Sequence, residues 1–174
     1  MSGVNRGKKF ESVIQHSFEK VSGVSIDRLH DMTNGYLGSS NIADYIVYKE
    51  PYEYYIECKS VNSPYLSIHS NDPKKKYGNI SNKQWEGMLR KSQIDGVFAG
   101  VICWWVQHDV TLFLPIMLLE YCRTELGLKS IKYDFISKYT IKEMAILPIE
   151  GTKKRVFYDY DMTKFFNYFE DGGI

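Results

Sequence analysis

Apolar residues near the N-terminus recur at helical spacing. Phe10, Val13, Ile14, Phe18 and Val21 form one stripe, which predicts an amphipathic helix from about residue 4 to residue 21, stopped by Gly23. The period then changes. A short strand over 24–29 leads into the polar segment HDMTNGYLGSSN, and strand-like runs follow at 42–48 and 54–61. The KEPYE connection between them, containing Pro51, predicts a hairpin. Residues 62–80 form a long polar stretch with the run Lys74, Lys75, Lys76, read as a loop insertion that is either functional or disordered. Ser81 and Gln84 make a capping box that opens a second helix ending near Asp95 and Gly96. Residues 97–106 are almost continuously apolar, as in a strand buried on both faces, and 110–114 pairs with it across Gln107 to Asp109. Pro115 suits the first turn of a third helix reaching about Leu126. The C-terminal part is less regular, with a strand expected over 155–158 and a helix capped by Asp161 that uses Phe165, Phe166 and Phe169. The order helix, strands, helix, strands, helix predicts an α/β fold, a mixed central sheet flanked by helices, in one domain over 1–174.

Composition narrows the classes. The 174 residues carry 22 Lys plus Arg against 21 Asp plus Glu, a formal net charge of +1 that excludes a highly basic nucleic-acid-coating protein. With 44% hydrophobic and 25% charged residues the chain is globular, not disordered. No apolar run has the length to cross a bilayer and MSGVNRGKKFE is not a signal peptide, so a cytoplasmic protein with no membrane partner is expected. Cys58, Cys103 and Cys122 lack metal-ligand spacing and read as buried free thiols in a reducing compartment. His16, His30, His69 and His108 are scattered, which argues against a zinc enzyme. No Gly-rich loop follows a strand, which argues against a nucleotide cofactor. Trp104 and Trp105, inside an apolar strand, read as core.

Charge interrupts apolar strands in two places, at Asp44 and at Glu57 with Lys59. Unpaired charges there are costly and call for a partner, a metal or an exposed edge. Side chains alternate along a strand, so Glu57 and Lys59 share one face while Cys58 points to the other. In a hairpin Asp44 lies beside Glu57, gathering two carboxylates and an ammonium. Close carboxylates repel unless a cation sits between them, and oxygen donors select hard ions such as Mg²⁺. A neighbouring lysine orients or activates water and stabilises phosphate charge, so the set is coherent for hydrolysis. A cross-strand Lys–Glu pair on a solvated face accounts for the spacing equally well. Glu11 adds to the cluster, since it lies about 80° from the centre of the first helix's apolar stripe, at the rim of the packed face.

Asn5-Arg6-Gly7, then Glu11, then Ser-Asn-Ile-Ala-Asp44-Tyr45, then Ile56-Glu57-Cys58-Lys59 resembles the PD-(D/E)XK nuclease superfamily. Within it, the pattern is most similar to RecU-like Holliday junction resolvases, including those carried by phages. The resemblance implies a restriction-endonuclease-like fold in which Asp44 and Glu57 ligate Mg²⁺, with Mn²⁺ as a substitute and the Cys58 carbonyl as a third ligand. It implies that Lys59 positions or activates water and that Glu11 assists the metal. Ser40 and Gln84 would contact the site or the scissile strand, and Arg6, Lys8 and Lys9 would contact phosphate. Lys74, Lys75 and Lys76 are candidate DNA-backbone contacts, as is the run Lys153, Lys154, Arg155; solvated loop charges are the plainer account of both. The implied activity is paired symmetric nicking of a four-way DNA junction by a homodimer. A duplex-cutting relative and an inert DNA-binding module with the same fold remain alternatives. Three departures stand out: Ala43 occupies the proline position, the segment before Asp44 is too short for a junction-entering stalk, and the long polar insertion instead follows Lys59.

Overall fold

A computed structural model describes residues 3–29, 41–68, 78–136, 146–155 and 157–170. Helix α1 (Gly3–Glu19) is followed by strands β1 (Ser25–Arg28), β2 (Tyr45–Lys49), β3 (Tyr52–Val61) and β4 (Tyr65–Ser67). Next come α2 (Asn82–Lys91), β5 (Val97–Trp105), β6 (Val110–Pro115) and α3 (Ile116–Thr124). Strand β7 (Ser130–Lys132), helix α4 (Tyr133–Ile136), β8 (Leu147–Pro148), β9 (Gly151–Lys153), β10 (Tyr158–Tyr160) and α5 (Thr163–Glu170) complete the chain. Among the described residues the central sheet has the order β1-β2-β3-β5-β6-β8. Its pairs are antiparallel except β3 with β5, which run parallel because the chain crosses back through α2. The sheet is therefore mixed and flanked by helices, as the pattern predicts.

Strand alternation divides the core into two layers. Tyr54, Ile56 and Cys58 pack with Tyr45, Val47, Ile102, Trp104 and Phe113 against Phe10, Ile14 and Phe18 of α1 and Phe165, Phe166 and Phe169 of α5. Tyr55 and Val61 pack with Val101, Cys103 and Trp105 against Trp85 and Met88 of α2 and Leu119 and Cys122 of α3. All three cysteines are free and buried, and Trp104 and Trp105 are core. Among the described residues no helix is long and apolar enough to cross a membrane.

Four expectations need correction. Strand β2 begins at Tyr45, so Asp44 stands at its threshold, not inside it. Pro115 closes β6 and serves as the N-cap of α3, which ends at Thr124. The expected strand over 155–158 is replaced by a β9–β10 hairpin, in which Lys154 N–H bonds Phe157 O and Arg155 lies in the turn. The clustered charges of Lys153, Lys154 and Arg155 favour that exposed turn over a paired strand. Finally, the polar insertion is not all loop. It contains β4, which pairs antiparallel with β7 from far along the chain.

Candidate active site

The β2–β3 register sets the centre. Tyr45 opposes Ile56, so the next position brings Asp44 to Glu57, and Asp44 N–H still bonds Ile56 O at 3.1 Å. There the chain leaves the ladder. Asp44 Oδ2 accepts the Cys58 N–H at 2.8 Å, supplying the acceptor that a continuing strand would have offered. This bond fixes the carboxylate against β3. Glu57 is 0% exposed and ion-pairs with Lys59, whose side chain is 23% exposed. Burial first, and then the Asp44 charge, push the Glu57 carboxyl up to about 7, against the opposing pull of Lys59 and Gln84. Burial pulls Lys59 down, but Glu57 and Asp44 outweigh it and hold the ammonium above its ordinary range. Glu57 Oε2 is buried with no partner in hydrogen-bond geometry. That is an expensive state for a carboxylate oxygen.

Gln84 reaches the site as the third residue of α2. Its Oε1 accepts the Ser81 N–H at 3.0 Å while Ser81 Oγ accepts its N–H at 3.3 Å, so the capping box is complete. With its oxygen committed, the amide bears on Glu57 through its donor side and lowers that carboxyl's pKa. The capping box foreseen at Ser81 and Gln84 is thus present. Helix α2 approaches this closely because of Gly87, where a Cβ would lie 2.3 Å from Ile42 Cγ2, two residues before Asp44.

Glu11 comes from α1, on the opposite side of the sheet from Glu57. Its carboxylate takes Arg28 Nη2 at 2.9 Å and is pushed up by burial and by Asp44, with Arg28, Lys59 and Lys8 opposing. It thus belongs to the electrostatic neighbourhood, held at the rim by Arg28. Sequence reading missed Arg28. The β1–β2 register sets Arg28 opposite Tyr45, whose side chain lies in the α1-side layer, and so within reach of Glu11. Cys58 turns its thiol into the α1-side core, where burial raises its pKa well above normal, leaving only main-chain atoms at the site. Arg6 hydrogen-bonds Asn62, just beyond β3, and Lys8 and Lys9 are exposed on α1. Lys153 pairs with Asp109, while Lys154 and Arg155 are exposed. Ser40, Lys74, Lys75 and Lys76 lie outside the described residues.

Among the described residues no three His, Cys, Asp or Glu side chains converge to hold a metal ion. The donors that suit a hard cation are two carboxylates, Asp44 and Glu57, with main-chain oxygen to complete them. The unpartnered Glu57 Oε2 fits that use, because a cation would satisfy the atom that the protein leaves bare.

No family model matches this chain, and no curated protein matches it. A solved structure is similar to it, the Holliday junction resolvase Hjc of the archaeal hyperthermophile Archaeoglobus fulgidus. The two share 20% identity over 74% of this chain and 90% of the other, with a TM-score of 0.49.

Proposed function

We propose that this chain is a Mg²⁺-dependent DNA endonuclease of the reducing cytoplasm that nicks four-way junctions, working as a homodimer, with Mn²⁺ able to substitute. The observation that carries the nuclease reading is the buried, unpartnered Glu57 oxygen beside Asp44 and Lys59. A binding module would have no use for it, and desolvating such a carboxylate lowers stability. Asp44 and Glu57 would hold the cation with the Cys58 carbonyl, and the cation would supply Lewis-acid charge stabilisation and an activated water.

The protein's own groups do the rest. The Cys58 N–H keeps Asp44 aimed, and the Lys59 ammonium holds Glu57 by its other oxygen. Lys59, kept protonated by its carboxylate neighbours, orients the attacking water and stabilises phosphate charge as a cation. Glu11 assists from the rim, with Arg6, Lys8 and Lys9 contacting the phosphate backbone. The branched substrate and the dimer come from the motif resemblance, since two symmetric cuts require two sites.

A labelled four-way junction incubated with Mg²⁺, with and without EDTA, tests this. Paired nicks that vanish with EDTA and in Asp44→Ala, with junction binding retained, are the expected result. Equal cutting of linear duplex would overturn the junction specificity. Binding without cutting in either Mg²⁺ or Mn²⁺ would make the chain an inert module.

A further inference from the structure

The polar insertion after Lys59 is the feature that the site does not absorb. Its described part becomes a two-stranded ribbon, β4 with β7, that starts where the catalytic strand ends. Lys59 is two strand residues from the end of β3, about 7 Å, and Tyr65 opens β4 shortly beyond. One face of the ribbon is fixed to the core by Leu66 and Ile131, both fully buried. Ser67 and Asn79 exchange bonds of 2.9 Å each, and Ile68 N–H reaches Lys129 O at 3.1 Å. These bonds tie the ribbon to its neighbours in the fold.

Its other face adds nothing to the core. Tyr65 is 46% exposed and stands opposite the exposed Lys132 in the β4–β7 register. Arg6 is tied to the ribbon's root through Asn62. Tyr133 N–H bonds Pro64 O at 3.0 Å, and the Tyr133 ring lies under exposed His108 at 3.9 Å, nearly parallel. Lys132 pairs with Asp134 at 3.3 Å, but both side chains are about half exposed, so that pair is weak and a phosphate competes with it readily.

We propose that this outer face, with Tyr65 and Lys132 at its centre, holds the DNA strand that runs out of the cleavage site. An open aromatic ring with a lysine across the register, on a ribbon bonded to the core, is suited to stack a base and grip its phosphate. Among the described ribbon residues Tyr65 is the one large exposed apolar side chain, which is too little for an apolar protein partner. This rests on the nuclease reading for the direction of the strand, but its test does not require cleavage.

Fluorescence anisotropy of a labelled four-way junction and of a duplex with a single-stranded tail, in EDTA, measures binding alone. Tyr65→Ala should bind about tenfold more weakly, and Tyr65→Phe should recover most of the loss because the ring remains. Lys132→Gln should lower the slope of log affinity against log salt by about one phosphate's worth, roughly 0.7–0.9. Lys164→Ala, at an exposed pair with Glu150 elsewhere on the surface, should match wild type in both. Thermal melting checks the fold of each, and Lys132→Gln keeps the test open if Tyr65→Ala is unstable. Wild-type affinity and salt slope in Tyr65→Ala and Lys132→Gln would overturn the ribbon while leaving the nuclease. Weakened binding in them, with a wild type that never cuts, would keep the ribbon and lose the nuclease. A wild type that does not bind DNA would overturn both.

Discussion

The two faces of β3 are made by one strand and serve opposite ends. Tyr54, Ile56 and Cys58 look into an aromatic layer, where Tyr54 meets Phe166 at 5.4 Å and Phe98 meets Phe169 at 4.4 Å between ring centroids. Among the described residues, the cation against the Phe166 ring is Lys49, 5.5 Å from its centroid at the layer's margin. On the other face, Tyr55 and Val61 bracket Glu57 and Lys59, and a carboxylate oxygen is buried without a partner. Alternation lets ten residues, Tyr52–Val61, anchor the sheet on one side while holding strained electrostatics on the other. The first face stabilises the fold so that the second can remain unsatisfied.

Substitutions should separate the faces cleanly. Glu57→Gln should lower junction cleavage at least about a thousandfold, about 4 kcal/mol of transition-state stabilisation, while the chain still folds cooperatively. Phe166→Ala, in the aromatic layer, should do the reverse and cost about 3–5 kcal/mol in chemical denaturation. If Glu57→Gln unfolds the chain, or if Phe166→Ala melts like wild type, the division between the faces is wrong.

That division was partly legible in the sequence. Period-two runs place β2 and β3, and a hairpin register puts Asp44 beside Glu57 without any coordinates. The Ser81–Gln84 capping box was also readable, since local backbone bonding decides it. What stayed hidden depends on distant pairing. Tyr65 and Lys132 meet across more than sixty residues, in strands too short to announce themselves by propensity. Arg28 carries no local signal, and its place beside the site follows from the pairing of β1 with β2. Glu11 was found from its helical angle, but its partner was not.

Acidity offers a gentler probe of the charged face. In the metal-free protein Glu57 holds its proton up to about 7, against an ordinary value of 4.5 in the unfolded chain. Between those values the folded state binds more protons than the unfolded one, so stability falls as pH rises. The fall should be on the order of 3 kcal/mol between about pH 4.5 and 8. Glu11, also raised, adds to it in the same direction. Lys59 does not oppose it there, because a raised lysine loses its contribution only above its ordinary pKa. Urea denaturation in EDTA from pH 4.5 to 8 measures this slope, and Glu57→Gln should flatten most of it. A slope that persists in that variant would place the effect elsewhere.

The finest probe lies where the charged face meets α2. Gly87 sits inside a helix, where alanine would ordinarily be favoured by about 1 kcal/mol. Here the added Cβ would lie 2.3 Å from Ile42 Cγ2 and 2.7 Å from Ile42 Cβ, so either Ile42 or the helix must move. Ile42 leads directly into Asp44, and the helix carries Gln84, so both movements act on the carboxylates. Gly87→Ala should therefore leave stability within about 1 kcal/mol, as propensity and crowding offset one another, yet reduce cleavage about 10- to 100-fold. No comparable loss is expected from a conservative change in the aromatic layer that costs the same stability. Cleavage at the wild-type rate in Gly87→Ala would mean that the approach of α2 has no part in aiming Asp44 and Glu57.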